Sequence, residues 1–146
     1  MKTNPTIKEA QKALRNGNFL GQDKRALATI LRADDQIVRA HGLTHRQIAA
    51  RLAALRDAAL PALGAPVLVP PHFEVRAESE RGLLVCPFDD SSVLAKTNMI
   101  VYNQARKQTL IYTDMHIHFI AEHGFYEGRG APMRLEPQTL IEILWP

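Results

Sequence analysis

The chain has a single cysteine, Cys86, in 146 residues. That scarcity excludes an internal disulfide framework and fits a reducing compartment. No apolar run approaches the roughly 20 residues that a membrane helix needs, so a spanning helix and a membrane partner are not expected. Residues 1–6 are polar with no apolar run behind them, which gives no sign of a secretory signal and points to the cytoplasm. No internal repeat and no low-complexity tract is present, so solenoid and fibrous classes drop out.

The chain also lacks a strong net charge, at +3, but this balance hides an asymmetry. Residues 1–60 hold 11 Lys/Arg against 5 Asp/Glu, and residues 61–146 hold 7 against 10. A basic half either faces an acidic partner such as nucleic acid or docks on the acidic half of its own chain. Docking is the simpler expectation, because exposed helix faces are routinely charged. With 46% hydrophobic and 23% charged residues, the composition is that of a globular protein long enough to bury a real core.

The pattern along the chain predicts an α+β fold in one integrated domain. It divides into a helical subregion at 1–60, a Pro-rich connection at 61–71, and a small antiparallel sheet with two C-terminal helices at 72–146. Asn4 and Pro5 are placed to cap and open a first helix, with Ile7, Ala10 and Leu14 on one face and Gly17 at its end. A second helical pattern spans 24–40, where the paired Asp34 and Asp35 are expected to interrupt it. Thr44 and Gln47 have the spacing of a capping box for a third helix, whose stripe is Ile48, Leu52, Leu55 and Ala59 and whose stop is Pro61. Strand patterns follow at 72–77 and at 82–88, the second being an apolar run of the buried kind. Segments 99–102 and 109–112 flank a polar stretch and form a hairpin. Thr113 or Asp114 then caps a helix at 115–123 that Gly124 ends, and Pro137 opens a last helix with Leu140, Ile141 and Leu144 inside.

Chemistry concentrates in that penultimate helix. His116, His118 and His123 are half of the six histidines of the chain and fall within eight residues. Imidazole is the commonest transition-metal ligand and the usual proton carrier near neutral pH. A regular helix puts His116 and His123 on one face and pairs His118 with Glu122, whereas a strand puts His116 and His118 together. With Cys86 these histidines form a candidate site for zinc or another divalent transition metal. The spacing is not that of a His-Glu-x-x-His protease. A Cys86 dyad with His116 or His118 is the nucleophilic alternative. Its neighbours Leu83, Leu84 and Val85 argue instead for a thiol buried in an apolar strand.

Two further stretches carry charge. Residues 42–52, from Gly42 through Thr44, Gln47 and Ala49 to Leu52, resemble the first helix of bacterial helix-turn-helix regulators. That resemblance covers 11 of 146 residues and implies a recognition helix in the major groove after a tight turn. In this chain the helical pattern instead runs on to Leu60 and meets Pro61. Arg46, Arg51 and Arg56 are the candidate phosphate contacts. Residues 124–134 hold three glycines, with Arg129 and Arg134 as candidates for binding a carboxylate or phosphate. A structured turn with Phe125 and Tyr126 on the core is the competing expectation.

The leading functional expectation is a non-catalytic binding or interaction protein, with a protein partner or self-association in view. One alternative is a metal-dependent enzyme in which Glu122 acts as base toward a metal-bound water. The other is a DNA-binding regulator working through the basic helical half.

Overall fold

The computed structural model describes residues 7–146, so the predicted Asn4 cap and Pro5 opening lie outside the described residues. Three helices come first: α1 (Ile7–Asn16), α2 (Leu27–Ala40) and α3 (His45–Ala59). A short 3-10 turn, Leu60–Ala62, leads to strands β1 (Val67–Val69), β2 (Phe73–Val85), β3 (Val93–Asn103) and β4 (Gln108–Thr113). Helix α4 (Asp114–His118) runs without a break into a π-helical segment, Phe119–His123, and α5 (Pro137–Leu144) closes the chain. The layout is α+β, with a four-stranded antiparallel sheet in the order β1-β2-β3-β4.

Local chemistry accounts for the helices. Thr44 and Gln47 form the capping box, with the Gln47 N–H on Thr44 Oγ1 at 3.1 Å and the Thr44 N–H on Gln47 Oε1 at 2.9 Å. Ile48, Leu52, Leu55 and Ala59 are buried along one side of α3. The Asp34–Asp35 pair does not interrupt α2, because each carboxylate has a partner that holds it inside the helix. Asp34 is buried and takes Arg134 in a two-point ion pair at 2.9 and 3.0 Å. Asp35 pairs with Arg39 one turn on and with His45 Nε2 at 3.0 Å. Neither aspartate is left to compete for the backbone, which is the reason such residues break helices.

The sheet differs from the expected pattern in one informative way. The two predicted strands at 72–77 and 82–88 are a single strand, β2, with an irregularity between Glu80 and Leu83. Gly82, at φ +102°, supplies the backbone conformation that this bulge needs. β1 pairs only with residues 73–75 of β2, and β4 only with 98–103 of β3. Beyond those limits β2 and β3 continue as a two-stranded arm, and among the described residues no third strand covers it. Leu83 and Val85 are therefore 68% and 65% exposed rather than buried.

The apolar residues gather in two clusters. The larger joins α3, the inner face of the sheet and α5 around Ile48, Leu52, Val75, Met99, Tyr112 and Leu144. The Tyr112 hydroxyl crosses it to donate to the Leu52 carbonyl at 2.7 Å. The smaller joins α1 and α2 to the start of the β2–β3 turn and to the π segment, around Leu14, Ile30, Cys86, Phe88, Phe119 and Phe125. The candidate site lies at the edge of this second cluster.

Candidate metal centre

Strand β2 ends at Val85, and the chain turns through residues 86–92 before β3. The Cys86 N–H donates to the Ser92 carbonyl at 3.2 Å, and the Asp89 N–H to the Cys86 carbonyl at 3.0 Å. Asp90 Oδ1 accepts the Ser92 N–H at 2.9 Å, the side-chain-to-backbone closure typical of an aspartate turn. Asp89 and Ser91 adopt left-handed conformations at φ 55° and 67°. The outcome is a tight loop that fixes the Cys86 thiol and the Asp90 carboxylate side by side.

The opposite wall is helical. Thr113 precedes α4, and Asp114 in its first turn is held by Arg56 at 2.9 Å and by the Thr97 N–H at 2.7 Å. After His118 the helix widens to i→i+5 bonding, and Gly124 ends it at φ 59°. In a regular α-helix residues five apart are rotated by about 140° from one another. The π segment brings them into line instead, so His118 and His123 point to one side. This register replaces the His118–Glu122 and His116–His123 pairings expected of a regular helix. π-bulges of this kind are frequent at functional sites.

Asp90 joins the two walls. His118 Nε2 and His123 Nε2 both lie 2.7 Å from Asp90 Oδ2. Cys86 Sγ is 3.6 Å from His123 Nε2. Phe88 stacks face to face on the His123 ring, with centroids 3.9 Å apart and planes inclined by 6°. One donor atom from each of Cys86, Asp90, His118 and His123 can be chosen so that all four lie within 4.8 Å of one another. Cys86 is the deepest at 2% exposed. Asp90, His118 and His123 line a cleft of about 280 Å³ together with Ser92 and Glu122.

Electrostatics tie the cluster together. Burial alone would raise the Asp90 pKa, but hydrogen bonds from Ser92 and from both imidazoles outweigh it and hold the carboxyl well below the usual range. Burial depresses the His123 pKa, and the Asp90 carboxylate opposes that effect only in part. A charged carboxylate facing imidazoles and a thiol is a donor set of the kind that transition metals select.

The other predicted site residues are placed as follows. His116 turns away from the cluster: its Nδ1 accepts the Thr113 N–H at 3.0 Å, and its Nε2 meets Glu127 at 2.8 Å and the Met133 carbonyl at 2.9 Å. The imidazole beside Cys86 is accordingly that of His123. Glu122 is exposed at the cleft rim, 3.5 Å from Arg46. Arg56 binds Asp57 and Asp114. Arg51 donates to the Leu144 carbonyl at 3.2 Å and lies over the rings of Phe73 and Trp145. The Arg46–Glu122 and Arg56–Asp114 pairs thus join the basic half of the chain to its acidic half. The segment resembling a helix-turn-helix opening is followed by the 3-10 turn and then β1, where a recognition helix would have to begin. Arg134 is engaged by Asp34 and Glu136, while Arg129 is exposed and gives its backbone N–H to Asp23 at 3.1 Å. Phe125 and Tyr126 are buried in the core.

Asp90 is the member that sequence reasoning missed. The stretch Asp89-Asp90-Ser91-Ser92 carries only a turn signal, and its position four residues after Cys86 belongs to no familiar ligand spacing. Comparison of the chain with protein-family models, with curated proteins and with solved structures gives no match.

Proposed function

We propose that this protein binds one transition-metal ion, zinc by preference, through Cys86, Asp90, His118 and His123, and that it acts as a non-catalytic binding protein. The observation that carries this reading is the convergence of four potential ligands, from a loop and a π segment, within 4.8 Å. Tetrahedral zinc, with bonds of about 2.0–2.3 Å, separates its donors by roughly 3.3–3.8 Å. The 2.7 Å contacts between the imidazoles and Asp90 are hydrogen bonds. Metal entry replaces the imidazole protons and widens those contacts by roughly 0.6 Å, a shift that side-chain torsions absorb. Four protein donors complete a tetrahedron and leave no open position for water, which favours holding the ion over reacting through it. A thiolate ligand also suits a reducing compartment such as the cytoplasm.

One observation favours a second reading, a metal-dependent enzyme. Glu122 lines the same cleft as Asp90, His118 and His123, where it would serve as base to a metal-bound water if one donor withdrew.

Titration with Co²⁺ tests the proposal. One equivalent is expected to give the absorption of a thiolate–cobalt bond together with tetrahedral d–d bands. Cys86→Ser removes the former, and His118→Ala weakens the latter. A wild-type protein that takes up no cobalt contradicts the proposal. Under the second reading, Glu122→Gln abolishes hydrolysis of an activated ester and leaves the cobalt spectrum intact.

A further inference from the structure

His116 and Glu127 lie outside the metal cluster and share a second environment. Their side chains are 4% and 5% exposed and meet at 2.8 Å. Both line a slot of about 380 Å³ whose walls also include Phe19, Leu84, Met115 and Met133. This volume is within the range of small-molecule sites, as is the lining of mostly apolar groups around a few polar ones. None of the four proposed metal ligands lines the slot.

The hydrogen bonds define what the slot lacks. The Thr113 N–H donates to His116 Nδ1, so the ring carries its proton on Nε2. That one N–H bonds to the Met133 carbonyl at 2.9 Å, and Glu127 Oε2 lies 2.8 Å from the same nitrogen. Arg134 lies close by, but its guanidinium goes to Asp34, to Glu136 and to the backbone carbonyl of Glu127. Among the described residues no lysine or arginine pairs with the Glu127 carboxylate. A carboxylate whose side chain is only 5% exposed, with no cation paired to it, is costly. Its backbone is also held at φ 71°, an uncommon conformation for a long side chain. Such strain persists only where the surroundings enforce it, and it clusters at binding sites.

We propose that the slot binds a small primary ammonium ion with a short apolar body. The ammonium supplies the cation and the N–H donors that Glu127 lacks, and the apolar part packs on Phe19, Leu84, Met115 and Met133. Leu84, at 37% exposed on the uncovered arm of the sheet, loses surface to the ligand.

Benzylamine is the probe, with benzyl alcohol as its neutral counterpart, and calorimetric titration of the full chain is the measurement. Benzylamine is expected to bind roughly tenfold or more tightly than benzyl alcohol, the value of a charge-assisted pair in a sheltered site. Glu127→Gln removes that preference, and Met133→Trp, which enlarges a side chain lining the slot and keeps the backbone carbonyl that His116 binds, blocks both ligands. Equal affinities in the wild-type protein, no benzylamine binding, or unchanged binding in Met133→Trp would each overturn the assignment. If Glu127→Gln fails to fold, the alcohol comparison and Met133→Trp still decide. Excess chelator is expected to leave benzylamine affinity unchanged, so failure of the metal reading and failure of this one are told apart.

Discussion

Asp90 receives both imidazoles on a single oxygen, and the chain has no comparable carboxylate–histidine junction among its described residues. Replacing it with asparagine keeps the size of the side chain and the turn-closing acceptor for Ser92 but removes the charge. Asp90→Asn is therefore expected to fold and to bind Co²⁺ at least about tenfold more weakly, as loss of a ligand or of its orienting partner typically does. Unchanged affinity would show that the carboxylate is not a ligand. Asp23 illustrates a carboxylate with a purely structural task. Hydrogen bonds from the Arg25 guanidinium, against the opposing effect of burial and with help from the Arg129 and Arg25 N–H groups, hold its pKa far below the usual range. Asp35 is lowered in the same direction, chiefly by Arg39. Because both folded values are depressed, their contribution to stability is complete above the unfolded carboxylate value of about 3.9 and is lost as pH falls through the folded values. Urea midpoints measured across the acid range should decline below about pH 4, and Asp23→Asn should flatten that decline.

At the level of elements, the π segment makes the candidate centre, because it alone lines up His118 and His123. Inserting one alanine after Ala121 sets the two histidines six apart, where a regular α-helix rotates them by about 120° from one another. The expected result is loss of the cobalt spectrum while far-ultraviolet circular dichroism keeps the helical signal, whereas deleting Ala121, which leaves the histidines four apart on one α-helical face, is expected to keep cobalt binding. Retention of the cobalt spectrum in the insertion variant would mean that the site does not depend on the alignment of His118 and His123. The sequence makes the ends of this helix readable, because Thr113 and Gly124 have terminal chemistry that depends only on neighbours. Its internal register is set by packing of Phe119 and Phe125 against Phe88, which no local pattern reports. The same division runs through the fold. The capping box at Thr44 and the stop at Pro61 are local and legible. The continuity of α2 through Asp34 was not, because it depends on Arg134, 100 residues away. Leu83 and Val85 look like a buried strand in sequence, yet burial there would require a third strand that β1 and β4 are too short to provide.

For the whole molecule, the pair of Asp34 and Arg134 fastens α2 to the loop before α5, with side chains 3% and 8% exposed. Removing one partner strands a buried charge, and Arg134→Ala is expected to cost about 3–5 kcal/mol in chemical denaturation. A loss under about 1 kcal/mol would show a pair behaving as a surface one. Metal binding should act on the same scale: an ion that joins the loop at Cys86 to the π segment stabilises only the folded chain, so the melting temperature should rise with added zinc.

The most direct test of the metal assignment is elemental analysis of tag-free protein, comparing wild type with His118→Ala/His123→Ala and with His116→Gln. The account predicts close to one zinc per chain in the wild type, retention in His116→Gln, and loss in the double variant. Metal-free wild-type protein after purification in the presence of zinc, or equal zinc in all three, would contradict it.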